Sequence, residues 1–238
     1  MIQLKHIRKT YGNQGIGLND ESLIINNGEI VGVLGENGSG KTTLLKTIMG
    51  LCEVQAGEVL VDGRSVSEQY EKMAFITEEG SYFPYMTPYE YGIFLSDFIP
   101  AFDMERYIRL IKFFELEPYR KIKTFSKGQK SKLEVSAGFS KGAKYILMDE
   151  PFLGKDMFTR KDFLKLMVTS LKSDETILIA THLIDEVENF LDRAIILRYG
   201  RIKADFYIDD IREEGENLAS IMMDITGYRE DRFKNSIF

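Results

Sequence analysis

The chain has 238 residues, 44% hydrophobic and 29% charged, with a net charge of −6. This describes a soluble globular protein with room for one large domain, or a domain plus a small appendage; it excludes a disordered chain and disfavours a nucleic-acid-wrapping surface, which would favour a basic balance. Cys52 is the single cysteine, so no intrachain disulfide is possible and a reducing cytosol fits.

Met1 to Tyr11 lacks the long apolar stretch of a signal peptide. Within it, Ile2 to Ile7 alternates as an edge or half-exposed strand does. Leu23-Ile24-Ile25 leads into the turn signal Asn26-Asn27-Gly28, and Ile30-Val31-Gly32-Val33-Leu34 reads as a buried strand. Gly35-Glu36-Asn37-Gly38-Ser39-Gly40-Lys41-Thr42 follows and fits G-x-x-x-x-G-K-[ST] at every fixed position. Thr43 to Met49 then reads as a helix. Strand, glycine loop and helix together aim backbone N–H groups and a helix N-terminus at one anion. Gly35, Asn37, Gly38, Ser39, Gly40 and Thr43 are thus candidate phosphate-contacting residues. Lys41 is expected to reach the β- and γ-phosphates and the Thr42 hydroxyl to hold Mg²⁺. The alternative is a plain glycine-rich turn before a helix; the strand ahead and Lys41-Thr42 behind favour the phosphate reading. Gly57 to Gly63 and Ala74 to Thr77 are further short strands.

Residues 82–125 hold 13 of the 28 Phe and Tyr. Tyr107, Leu110, Ile111 and Phe114 fall on one helical face, while Pro84, Pro88, Pro100 and Pro118 break the region into several short helices. From Lys144 onward strands and helices alternate: strand Tyr145 to Met148, helix Arg160 to Leu171, strand Thr176 to Thr181, helix Leu183 to Leu191, strand Ala194 to Arg198 and a turn at Tyr199-Gly200. That order implies a parallel sheet covered on both faces. The charged tail after Asp209 carries Leu218, Ile221, Met222 and Ile225 on one face, as an amphipathic helix or a partner contact does. No window approaches the roughly 18 apolar residues of a membrane span, so a spanning part, if there is one, is expected on another chain.

Tyr145-Ile146-Leu147-Met148-Asp149-Glu150-Pro151 is an apolar strand ending in two carboxylates. Asp149 falls at the strand end where parallel α/β sheets bind ligands, suited to completing a Mg²⁺ shell. Glu150 is suited to taking a proton from an attacking water. By itself the segment reads equally well as a buried strand ending in an acidic turn; the phosphate loop tips the balance.

Phe125-Ser126-Lys127-Gly128-Gln129 resembles the L-S-G-G-Q signature of the ABC ATPase family, and the other motifs follow in that family's order over about residues 2–205. Tyr11 in Lys9-Thr10-Tyr11-Gly12 resembles the aromatic that stacks on adenine. Asp156 in Gly154-Lys155-Asp156 resembles the loop after the catalytic glutamate, and His182 resembles the switch histidine that contacts the γ-phosphate. The resemblance implies ATP and Mg²⁺, catalytic Glu150 and His182, and a composite site in which Ser126, Gly128 and Gln129 of one subunit close on the ATP of another. It implies a second ATPase subunit, identical or related, and a polytopic membrane subunit on a separate chain. No nucleic-acid partner is expected, and the location is cytoplasmic, peripheral on the inner face of the cell membrane.

Two positions depart from the family. Glu78 stands where a Gln usually touches the metal and water; as a carboxylate it is a stronger Mg²⁺ ligand and repels the γ-phosphate until metal is bound. Leu153 stands where relatives carry a small polar residue, which puts cross-dimer hydrogen bonding there in doubt. Lys127 replaces a glycine. It reads most simply as an exposed lysine, or as added positive charge by the phosphate; S-K-G resembles a branch with export-type partners.

The expected fold is α/β: a P-loop NTPase core with an N-terminal antiparallel β subdomain and a helical subdomain inserted at about 82–140, all within one domain over 1–208, then a C-terminal helical extension over 209–238. The expected function is to power a membrane transporter, an exporter of drug, peptide or antibiotic. The alternative is a non-transport ABC-type ATPase acting on ribosome or DNA, disfavoured by the single ATPase unit, the absence of a coiled-coil run and the acidic balance. Tyr82-Phe83-Pro84-Tyr85-Met86 is too short and proline-broken to bury every ring, so some of these rings are expected to line a groove for a short helix of the membrane subunit.

Overall fold

Strand β1 (Ile2–Thr10), β2 (Ile16–Ile25), β4 (Ala56–Val61) and β5 (Arg64–Ser65) form an antiparallel sheet of order β2-β1-β4-β5 in the computed structural model, which describes residues 1–12, 15–77, 80–151, 160, 163–166, 169 and 172–227. The second sheet has the order β10-β9-β3-β8-β7-β6. Its members are β3 (Ile30–Leu34), β6 (Met73–Ile76), β7 (Tyr145–Asp149), β8 (Thr176–Thr181), β9 (Arg193–Arg198) and β10 (Arg201–Tyr207). All its pairings are parallel except that of β10, which returns antiparallel along β9.

The central strands are apolar throughout because both their faces are covered. On one face Val31, Val33, Tyr145, Leu147, Leu178, Ala180, Ile195 and Leu197 pack with Leu44, Leu45 and Ile48 of helix α1 (Lys41–Ile48) and with Ile2, Leu4, Leu18 and Leu23 of the antiparallel sheet. On the other, Leu34, Ile146, Met148, Ile177, Ile179 and Ile196 join a core shared with the helices of the 88–140 region. The period-two alternation thus sorts each strand's side chains between two apolar cores.

Three helices follow β6: α2 (Pro88–Phe98), α3 (Met104–Phe113) and α4 (Lys127–Ser140). Each starts at a side-chain cap. The Thr87 hydroxyl accepts from Glu90 N at 3.2 Å while the Glu90 carboxylate accepts from Thr87 N at 2.7 Å, with Pro88 in the first turn. Asp103 accepts from Arg106 N at 2.7 Å. Tyr107, Leu110, Ile111 and Phe114, expected on one face, are all buried.

The expected helix from Leu183 to Leu191 is shorter than its pattern suggested. It is a single turn, α5 (Ile184–Val187), followed by a 3-10 turn at Glu188–Phe190. The tightening delivers Leu191 into the core directly over Gly32, where a Cβ would lie 2.4 Å from Leu191 Cδ1. Helices α6 (Ile208–Glu213) and α7 (Leu218–Thr226) end the described chain. Leu218 and Met222 are buried, and Ile221 and Ile225 pack against the same core. Among the described residues no helix is long and apolar enough to cross a membrane. Most of the helix expected over 160–171 lies outside the described residues, although Phe163, Leu164 and Leu166 are buried.

Arg106 of α3 donates to both carboxylate oxygens of Glu175, at 2.6 and 3.1 Å, with both side chains buried. This pair fastens the helical region to the turn before β8. Glu175→Ala removes both bonds and leaves a buried guanidinium without its carboxylate. It is expected to lower unfolding free energy by about 3–5 kcal/mol, measured by urea denaturation.

Candidate active site

The loop between β3 and α1 closes because two positions accept only glycine. Gly35 has φ +152°, and a Cβ there would sit 2.3 Å from Leu197 O; Gly40 has φ +112°, and a Cβ would sit 2.5 Å from Gly17 O. Gly40 is the N-cap of α1 and supplies no side-chain cap, so the first N–H groups of the helix are left for a ligand. The Ser39 hydroxyl is buried and has no hydrogen-bond partner among the described residues. Lys41 Nζ donates to Gly35 O at 2.8 Å and Glu36 O at 3.2 Å, and lies 3.5 Å from Glu150 Oε1.

Asp149 follows Tyr145 and Leu147 on the α1 side of the sheet, and its Oδ1 accepts from Thr42 Oγ1 at 3.0 Å. Burial pushes the Asp149 carboxyl above its ordinary value; the Thr42 hydroxyl opposes this and the neighbouring Glu150 charge adds to it. Glu150 has φ +46°, a left-handed conformation uncommon outside glycine. Its N–H donates to Ala180 O at 2.8 Å. Its carboxylate lies 2.9 Å from His182 Nδ1 and accepts from Thr181 Oγ1 at 3.1 Å. Lys41, Glu150 and His182 thereby form one polar group beside the Thr42–Asp149 pair.

A cavity of about 310 Å³ lies against the loop, lined by Tyr11, Asn37, Gly38, Gly40, Lys41, Thr42, Thr43 and Glu150; His182 lines a separate cavity of about 570 Å³ with Glu36, Leu183 and Met222. Tyr11 stands partly exposed at its mouth, its hydroxyl 3.3 Å from Thr43 Oγ1 and Lys9 Nζ 4.9 Å over its ring. Ser126, Gly128 and Gln129 do not line this cavity. They form the start of α4, where the Ser126 hydroxyl accepts from Gln129 N at 3.2 Å and Gln129 Oε1 accepts from Ser126 N at 3.0 Å. The Gln129 side chain is thus occupied in capping its own helix. Glu78, Leu153 and Asp156 lie outside the described residues.

Residues 18–153 match the family model described as ABC transporter. The chain belongs to the ABC transporter ATP-binding family. It is 32% identical to the ABC transporter ATP-binding protein YtrB of Bacillus subtilis over 90% of this chain and 74% of that protein. It is 33% identical to the spermidine/putrescine import ATP-binding protein PotA of Haemophilus influenzae, covering 92% of this chain but 61% of PotA. It is 28% identical to the lipopolysaccharide export system ATP-binding protein LptB of Haemophilus influenzae, over 86% and 89%. Among solved structures, an ATP-binding subunit of an ABC transporter matches with a TM-score of 0.83 at 28% identity over 95% of this chain and 99% of that one. A dimeric ATP-binding cassette in a post-hydrolysis state, bound to ADP and Pi, matches with a TM-score of 0.77 at 25% identity, over 87% and 99%.

This ABC ATPase has two residues suited to Mg²⁺ at the loop, the Thr42 hydroxyl and the Asp149 carboxylate. Among the described residues no cluster of three or more His, Cys, Asp or Glu could hold a metal alone. Two oxygen donors fit a cation that takes its remaining ligands from phosphate and water. Motif reading passed over Thr181, which the fold brings to Glu150. Its hydroxyl donates to Glu150 and accepts from Leu183 N at 3.1 Å; the signal was its place next to His182 at a strand end. Gly200, read only as part of a turn, donates to Ser39 O at 2.8 Å and braces the loop.

A raised carboxyl pKa means that the ionised form of Asp149 destabilises the fold above that pKa, and that the protonated form relieves the strain as pH falls. Asp149→Asn keeps an acceptor for Thr42 and removes the charge. It is expected to raise the melting temperature of the nucleotide-free protein at pH 7 while abolishing Mg²⁺-dependent ATP hydrolysis. Thermal melts and turnover assays on the same preparation check both.

Proposed function

We propose that this chain is the motor subunit of an export-type ABC transporter, hydrolysing ATP at sites shared between two ATPase subunits. The observation that carries this reading is the bonding of Glu150 to His182 and Thr181, one residue beyond the Asp149–Thr42 pair. It supports reading Glu150 as a general base beside a metal-binding pair, Thr42 and Asp149.

ATP enters with its phosphates against the loop N–H groups and its adenine on Tyr11. The γ-phosphate draws Lys41 Nζ away from Gly35 O, Glu36 O and Glu150, so the cation neutralises phosphate and the base is released. Glu150 then accepts the proton of the attacking water while His182 orients it and reaches the γ-phosphate. Thr42 and Asp149 would hold Mg²⁺, which would supply neutralisation of phosphate charge. Glu78 adds a third metal ligand in this reading. The exposed start of α4 offers the Ser126 hydroxyl, the Gly128 N–H and the positive end of a helix to the nucleotide of the other subunit; Gln129 supports that start as its cap. Tighter binding of ATP by the closed pair drives the cycle.

Export is supported by Ser126-Lys127-Gly128. Relatives that serve import and export are comparably similar, so the direction rests on that segment and on assay. Phe83, Tyr85, Tyr89, Phe98 and Tyr119 are exposed, Tyr85 by 74% and Phe98 by 71%. Phe83 and Phe98 both pack on Phe94, and Tyr89 packs on Tyr119; exposed rings of this kind fit a short helix of a polytopic membrane subunit, which would hold this chain at the cytoplasmic face of the membrane.

Glu150→Gln is expected to cut turnover by about 10²–10⁴-fold while ATP binding persists, read by single-turnover hydrolysis and nucleotide titration. Lost binding would exclude Glu150 as the base. In the same assays Glu78→Gln is expected to weaken the Mg²⁺ dependence; an unchanged dependence removes Glu78 from the metal shell. Tyr85→Ala with Phe98→Ala is expected to abolish copurification with the membrane subunit and leave turnover of the free chain intact. Substrate movement into inverted vesicles, against movement out of them, decides direction.

A further inference from the structure

Glu134 is a buried carboxylate on α4, two turns beyond Ser126, and no step of hydrolysis uses it. Its Oε1 accepts from Ser81 N at 2.6 Å, and its Oε2 accepts from the Ser81 hydroxyl at 3.1 Å. The Ser81 hydroxyl in turn lies 3.2 Å from Tyr91 Oη on α2. One carboxylate thus holds the segment that follows β6, and through it α2, against the helix whose first turn is the signature.

A second contact restrains the same helix. At Gly138, one turn further on, a Cβ would lie 2.5 Å from Ile76 Cδ1, so α4 lies hard against β6. Glu134 and Gly138 lie four residues apart on one face of α4 and together set how the helix leans on the edge of the sheet. Burial raises the Glu134 carboxyl, opposed by its bonds from Ser81 and by Lys141. An apolar side chain would fill this site with less desolvation, so the retained bonds to Ser81 are what the carboxylate supplies.

We propose that Glu134 is a positioning residue. By tying α4 to Ser81 it sets where Ser126 and Gly128 are presented, and it therefore acts on the nucleotide of the other subunit rather than on its own. The proposal rests on the shared-site reading above.

Trans-complementation with purified full-length chains tests it. Glu134→Leu, apolar and similar in size, is expected to lower kcat by about tenfold or more with the ATP KM within about twofold. Glu134→Gln, which keeps an acceptor for Ser81 N, is expected to restore kcat. Mixing Glu134→Leu with Glu150→Gln is expected to recover roughly a quarter of wild-type turnover, because half the pairs in a two-fold dimer are mixed and each has one complete site. Ser126→Ala mixed with Glu150→Gln is the reference. If that reference recovers activity and the Glu134→Leu mixture does not, Glu134 acts in its own subunit and the proposal is overturned. Wild-type kcat in Glu134→Leu, or an equal loss in Glu134→Gln, overturns it as well. If neither mixture recovers, the shared site itself is wrong, and the inference falls with it.

Discussion

The register of the parallel strands is the constraint on which the catalytic chemistry depends. Leu34 pairs with Thr181, and Asp149 with Ala180, so β3, β7 and β8 all end along one edge. The phosphate loop, the two carboxylates and the histidine leave from those ends. Side chains alternate along a strand, so Asp149 shares a face with Tyr145 and Leu147, the face covered by α1. A one-residue slip would carry its carboxylate to the opposite face, away from Thr42. Glu150, one residue on, would by the same alternation point away from the loop. Its left-handed backbone turns it back instead, within reach of Lys41, Thr181 and His182.

This arrangement opposes local stability. A carboxylate raised by burial, a non-glycine residue at positive φ and a buried serine hydroxyl with no partner among the described residues each cost free energy, of order 1–3 kcal/mol for strained backbone and similar for a buried unpaired polar group. They cluster at one sheet edge, and the two apolar cores on either side hold them there. Preorganised groups of this kind suit a site that must stabilise charge arriving with a nucleotide, since little reorganisation remains to be done when it binds.

The helical region is built differently. Its helices begin at capped termini, and it is fastened to the sheet by a few polar bonds, chiefly Arg106–Glu175 and Glu134–Ser81, together with the close approach of Gly138 to Ile76. The start of α4 faces outward while Lys41 and Glu150 face their own cavity. The two ends of the chemistry therefore sit apart in a single chain, as expected if each completes a site in another.

Much of this was legible in the amino-acid sequence. The glycine loop, the strand before it and the helix after it follow from spacing alone, because a phosphate cradle needs those residue types in that order. Strands β3 and β8 fell where continuous apolar runs between turn signals put them. The length of the helix after His182 was not legible, because the segment ends where Leu191 packs over Gly32, a contact distant in sequence. Thr181 was hidden for a similar reason: a threonine ending an apolar strand carries no motif until Glu150 is folded against it. Glu134 carries no motif in the sequence, and only the folded chain shows it buried against Ser81. The sequence by itself determined the family and the chemistry, since these depend on local residue types at fixed spacing. Tertiary structure alone decided which carboxylate meets which partner, since that depends on sheet register, backbone handedness at one residue and contacts between segments far apart in the chain.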